Sequence, residues 1–124
     1  MSTTATTTAT AAASMIAEQV REAAKHAAEL YFNEVLGGVD QYACGFAWVT
    51  VYPAHKGNTR AGREERKVLE SMGFRKDYTG KAYQLWNPSG MGCQNVDTLE
   101  AGARAAADVL TFWGFRAYAG SRLD

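Results

Sequence analysis

From residue 14 onward the apolar positions fall into runs of different period. Ile16, Val20, Ala23, Ala27, Leu30, Tyr31 and Val35 recur at helical spacing behind Ser14 as an N-cap, and Gly37-Gly38 stops the run. This predicts a helix over 15–36, whose other face (Glu18, Glu22, Lys25, Glu29, Glu34) is solvated, with Glu22 set to pair with Lys25. Between Tyr42 and Tyr52 the period drops to two. Cys44, Phe46, Trp48, Thr50 and Tyr52 alternate with Gly45, Ala47, Val49 and Val51, which predicts a central strand covered on both sides and ended by Pro53. A second helix is expected over 59–72, with Val68, Leu69 and Met72 inward and Gly73 at its end. Residues 74–78 and 82–87 flank Thr79-Gly80-Lys81 as a hairpin. The third helix opens at Asp97-Thr98-Leu99-Glu100, with Asp97 as N-cap, and turns Val96, Leu99, Ala103, Ala106, Leu110 and Trp113 inward; a last strand covers 115–123.

A helix followed by β-α-β-β-α-β is the split βαβ plan, so the expected fold is α+β: a ferredoxin-like antiparallel sheet, order 4-1-3-2, with an additional N-terminal helix. Residues 15–124 form one domain, with the βαββαβ unit over 42–124. Residues 1–14, with six threonines, five alanines and no charge, read as a tail. Val68-Leu69 and Gly73-Phe74-Arg75 recur 41 residues later as Val109-Leu110 and Gly114-Phe115-Arg116, a shared helix-to-strand junction.

Composition adds one constraint. Of the 124 residues 22 are alanine and 14 aromatic, against 16 Val, Ile and Leu, so the sheet must be aromatic-faced and alanine must permit close helix contacts. No stretch reaches the length of a membrane span and the N-terminus lacks the basic start of a signal peptide, which places the chain in the cytoplasm. Cys44 and Cys93 have no CxxC spacing and no zinc-spaced histidine, so they read as reduced, packed thiols.

The net charge is zero, but residues 1–54 sum to minus three, 55–82 to plus four and 83–124 to minus one. In the expected sheet the loops after the first and third strands lie at opposite ends, which defines two rims. The first gathers His55, Lys56, Asn58, Arg60 and Arg63 around a helix N-terminus, a place for an anion. The second gathers Trp86, Asn87, Ser89, Gln94 and Asn95 with Arg122 and Asp124, groups that donate and accept hydrogen bonds to a sugar, base or amide. His55 is the one loop histidine, with Asp77 as a possible partner; no nucleophile with a base, no carboxylate pair and no metal set is evident, so no catalytic residue, metal or cofactor is expected.

Cys44-Gly45-Phe46-Ala47-Trp48-Val49, the strand Tyr83-Gln84-Leu85-Trp86, Gly114-Phe115-Arg116-Ala117 and the ending Ser121-Arg122-Leu123-Asp124 resemble a widespread group of small tailed-phage proteins, over residues 43–124. The resemblance implies an accessory protein of the host cytoplasm that counters a host defence. The combined expectation is a non-enzymatic phage protein that binds or sequesters a small anionic nucleotide-derived ligand through the rim residues. It would be a homo-oligomer with Phe46, Trp48, Tyr52 and Tyr31 at its interface, and no membrane partner. The alternative is a protein- or nucleic-acid-binding module that uses the aromatic face of the first strand, a host protein being one such partner, although the RNP patterns of RNA-recognition domains are absent.

Overall fold

The computed structural model describes residues 2–124, with side chains from residue 12. The elements run α1 (Ser2–Glu34), β1 (Gly45–Tyr52), α2 (Arg60–Ser71), β2 (Arg75–Lys76), β3 (Tyr83–Trp86), α3 (Val96–Phe112) and β4 (Arg116–Leu123). The sheet has the order β2-β3-β1-β4, antiparallel at every pairing. This is the expected α+β plan: βαββαβ behind an extra helix.

Two differences concern α1. It starts at Ser2, so residues 2–14, expected as a tail, continue the helix, and Ser14 sits inside it instead of capping it; Met1 lies outside the described residues. Threonine's modest helix propensity is overridden because Ala13, Ile16, Ala17, Val20 and Ala24 are buried in the core beyond it. The expected Glu22–Lys25 pair is replaced by Lys25 with Glu29, 4.0 Å apart at i,i+4.

Helix ends follow local chemistry. Thr59 caps α2, its Oγ1 accepting from Gly62 N at 3.0 Å. The cap of α3 is Asn95 and not Asp97: its Oδ1 accepts from Thr98 N at 2.8 Å and Thr98 Oγ1 at 2.9 Å, and its Nδ2 donates to Gln41 O at 2.8 Å. α2 and α3 close alike, the N–H of Phe74 donating to Leu69 O at 3.1 Å and that of Phe115 to Leu110 O at 3.0 Å. The echoed sequence is therefore the same C-terminal cap used twice.

α3 packs on β1 and β4, and α1 packs on α3 and α2. Ala47, Val49 and Val51 of β1 and Ala117 of β4 turn to the helices and are buried. The close approach of α1 to α3 relies on Ala24, Ala28, Ala103, Ala106 and Ala107, all buried. Strand β1 was expected to be covered on both sides, but among the described residues all three helices lie on one side. The other side of the sheet is open. Tyr31, expected beside Phe46, Trp48 and Tyr52, instead lines the α1–α3 groove with Glu100 and Arg104.

Candidate functional site

Antiparallel pairing puts directly opposed residues on one face. Phe46 opposes Arg122, Trp48 opposes Gly120 and Trp86, Thr50 opposes Tyr118 and Gln84, Tyr52 opposes Arg116, and Arg75 opposes Gln84. The open face thus collects Phe46, Trp48, Tyr52, Trp86 and Tyr118 with Arg75, Arg116 and Arg122, and its strand positions hold no carboxylate. Phe46 is 40% exposed, Trp86 and Tyr52 47% and Tyr118 60%.

The rings are ordered against one another. Trp48 and Trp86 stack at 4.7 Å between centroids with 28° between planes, and Phe46 meets Trp86 edge-on at 6.2 Å. Tyr52 and Tyr118 make a second edge-on pair at 5.9 Å, and the Arg122 guanidinium carbon lies 5.4 Å from the Phe46 centroid. Trp48 lies flat over Gly120: a Cβ there would fall 2.6 Å from the indole Nε1, so β4 needs glycine at this crossing. Trp86 Nε1 donates to Gln84 Oε1 at 3.2 Å and Gln84 Nε2 to Thr50 Oγ1 at 3.4 Å, which holds the indole along the strands.

The first rim is differently arranged. Ala54 N and His55 N both donate to the Glu65 carboxylate, at 2.8 and 3.0 Å, and His55 Nδ1 lies 3.4 Å from it. Glu65, not Asp77, is therefore the acidic neighbour of His55. Arg60 faces Glu64 at 3.5 Å, Arg63 donates to Asn58 O at 3.0 Å, and Arg66 donates to His55 O and Gly62 O at 3.0 and 2.9 Å. The chain's own carboxylates thus occupy much of the positive field that an anion would use; Lys56 and Lys81 are exposed. Asp77 closes the hairpin, accepting from Thr79 Oγ1 at 2.7 Å and Gly80 N at 3.0 Å, and those bonds hold its carboxyl below its ordinary value.

In the second rim several polar groups are spent on the turn. Asn87, at φ 45°, donates to Met91 O at 3.0 Å and accepts from Ser89 Oγ at 3.0 Å. The Asp40 carboxylate, which sequence reasoning did not single out, accepts from Gln94 N and Asn95 N at 2.8 and 3.0 Å. Its signal, one acidic residue between a helix and a strand, is too weak to find. Trp86, Asn87, Gln94 and Asp124 do converge, with Cys44 and Cys93, on a cavity of about 360 Å³ that opens beside Phe46. Both cysteines are free; Cys44 is exposed instead of packed, and burial, with the Asp40 carboxylate adding to it, pushes the Cys93 thiol up, so it is neutral at pH 7. A wider groove of about 790 Å³ runs between α1 and the turn after β3, with Arg21, Glu22 and Lys25 on one wall. Its charges are mixed.

The chain matches no family model, and neither the curated proteins nor the solved structures give a match to it. Among the described residues no helix is long and apolar enough to cross a membrane, and no group of three His, Cys, Asp or Glu side chains is placed to hold a metal ion.

Proposed function

We propose that the protein binds single-stranded nucleic acid on the open face of its sheet. The observation that carries this reading is the coincidence, on one uncovered face, of the stacked Trp48–Trp86 pair and three arginines with no strand carboxylate. Unpaired bases stack on aromatic rings whatever their identity, while phosphates are held by flanking cations; an antiparallel sheet with rings on its two central strands is a recurrent solution. Here the central strands are β3 and β1, and they carry Trp86, Phe46, Trp48 and Tyr52.

Charge separates this partner from a second copy of the chain. A two-fold interface on this face would bury Arg75, Arg116 and Arg122 with no strand carboxylate from either copy to pair them, and burying unpaired charge is costly. A polyanion complements them. The rim reading, with a small anionic ligand at the start of α2, has less support because Glu64 and Glu65 already engage that region. No catalytic role is proposed.

The test is a fluorescence-anisotropy titration with labelled octanucleotides of RNA and DNA. Wild-type protein is expected to bind with salt-sensitive affinity. Trp86→Ala is expected to weaken binding about 5- to 150-fold, the effect of losing one base stack worth about 1–3 kcal/mol. No binding at low salt, or a Trp86→Ala affinity equal to wild type, would overturn the reading.

A further inference from the structure

We infer, as an extension that rests on the sheet-face reading, that the open face holds a single strand at two separate base stations, one at each end of β1. The nucleotides between them bridge the gap without being stacked on the protein.

The exposed rings of the face fall into two clusters of like construction. At the start of β1, Phe46 meets Trp86 edge-on at 6.2 Å with 63° between planes, and Arg122 stands opposite Phe46 on β4, its guanidinium carbon 5.4 Å from the ring centroid. At the end of β1, Tyr52 meets Tyr118 edge-on at 5.9 Å with 64° between planes, and Arg116 stands opposite Tyr52 on β4. All four rings and both arginines are exposed. An edge-on pair leaves the flat of one ring open beside the rim of the other, a corner that a base plane can enter.

Between the clusters the face offers a base little. Thr50 is buried, and the Gln84 carboxamide is spent on its neighbours, donating to Thr50 Oγ1 and accepting from Trp86 Nε1. Trp48 already lies against Gly120 and Trp86. Trp86 is level with Trp48, and Tyr118 with Thr50, so the cluster centres are about four residues, or about 13 Å, apart along β1. A strand with its bases stacked advances about 3.4 Å per nucleotide, so about four steps cover that distance, and an extended strand covers it in fewer. A pentanucleotide therefore reaches both stations. Arg122 and Arg116 lie on one strand beside the two stations, which lays the phosphates along β4. Once one base is seated, the short backbone makes seating the second an intramolecular step, so the two stations reinforce each other.

The experiment titrates three labelled pentamers by anisotropy: oligo(dT), the same chain with bases only at its two ends and abasic sites between, and a chain with a single terminal base. All three carry the same phosphates. On the wild type the two-ended pentamer is expected to bind about fivefold or more tighter than the one-ended one, the lower end of the effect of one base stack, and to come within about fivefold of full oligo(dT). A Tyr52→Ala/Tyr118→Ala double variant, whose fold thermal melting confirms, is expected to lose that advantage while still binding the one-ended pentamer at the Phe46–Trp86 station. A smaller two-ended advantage, an advantage that survives in the double variant, or full oligo(dT) outbinding the two-ended pentamer by more than this would overturn the two stations. In each of those cases Trp86→Ala still weakening the octanucleotide complex leaves the sheet-face reading intact. An octanucleotide that binds where the full pentamer does not also overturns the stations alone. Absence of binding to both would overturn the sheet-face reading with them.

Discussion

Gly120 and Trp48 show how one missing side chain shapes the candidate surface. Because the indole occupies the space of a Cβ, Gly120→Ala would force Trp48 off β4 and away from its stack with Trp86. The expected outcome is loss of the indole–indole signal in near-ultraviolet circular dichroism and weaker oligonucleotide binding, with far-ultraviolet helix content unchanged; an unaltered near-ultraviolet spectrum would contradict it. At this scale the sequence is only partly informative. The alternation of Phe46, Trp48 and Tyr52 is legible, because a strand's period of two depends on nothing outside the strand. That Trp86 is the ring lying on Trp48, and that Arg122 sits over Phe46, depends on register across strands distant in the chain. Nor does sequence show that Glu65 reaches the Ala54 and His55 amides; a lone glutamate in a charged helix carries no mark of its partner.

At the scale of elements, periodicity and helix-stopping glycines predict all seven elements, since these rest on local chemistry, and the strand order follows from the usual sheet of the split βαβ plan that their sequence matches. What fails is coverage. Which side of a sheet a helix packs on is set by long-range contacts, so the period of α1 does not show that Tyr31 lies away from the aromatic face, on the side where Ala13, Ile16, Ala17, Val20 and Ala24 hold the helix in the core with residues of α2 and α3. The start of α3 is misplaced by two residues because Asn95 and Asp97 are both good caps; Asn95 prevails since its buried side chain also ties down Gln41 and Thr98. Asn95→Ala is therefore expected to cost about 2 kcal/mol or more in urea unfolding, above a typical surface cap, because a buried donor and acceptor lose their partner. A loss below about 0.5 kcal/mol would contradict that role. The hairpin gives a pH dependence. Asp77's carboxyl is lowered chiefly by the Thr79 hydroxyl; burial raises it by less than that, and the backbone N–H groups of Ala82, Gly80 and Thr79 each lower it a little further. A depressed carboxyl contributes stability above the ordinary carboxylate range and loses it as pH falls through the folded value. The Gly80 and Ala82 amide resonances are expected to move together below about pH 4, and their insensitivity to acid would contradict the turn.

At the scale of the whole molecule the layout is one-sided: helices and an alanine-lined core on one face of the sheet, aromatic rings and arginines on the other. An uncovered aromatic surface is a cost in solubility unless a partner uses it, and the arginines define the sign of that partner. Three phosphate contacts to a single strand give a slope of log affinity against log salt of roughly −2. A slope near zero would remove the arginines from the interface. The most direct measurement follows the three tryptophan indole N–H resonances during titration with an octanucleotide. Trp48 and Trp86 lie on the open face, while Trp113 ends α3 on the helical side, its Nε1 donating to Gln19 Oε1 at 2.9 Å. Binding on the sheet is expected to shift the Trp48 and Trp86 signals and leave Trp113 in place. Shifts confined to Trp113 or to the start of α2, or none at all, would contradict it.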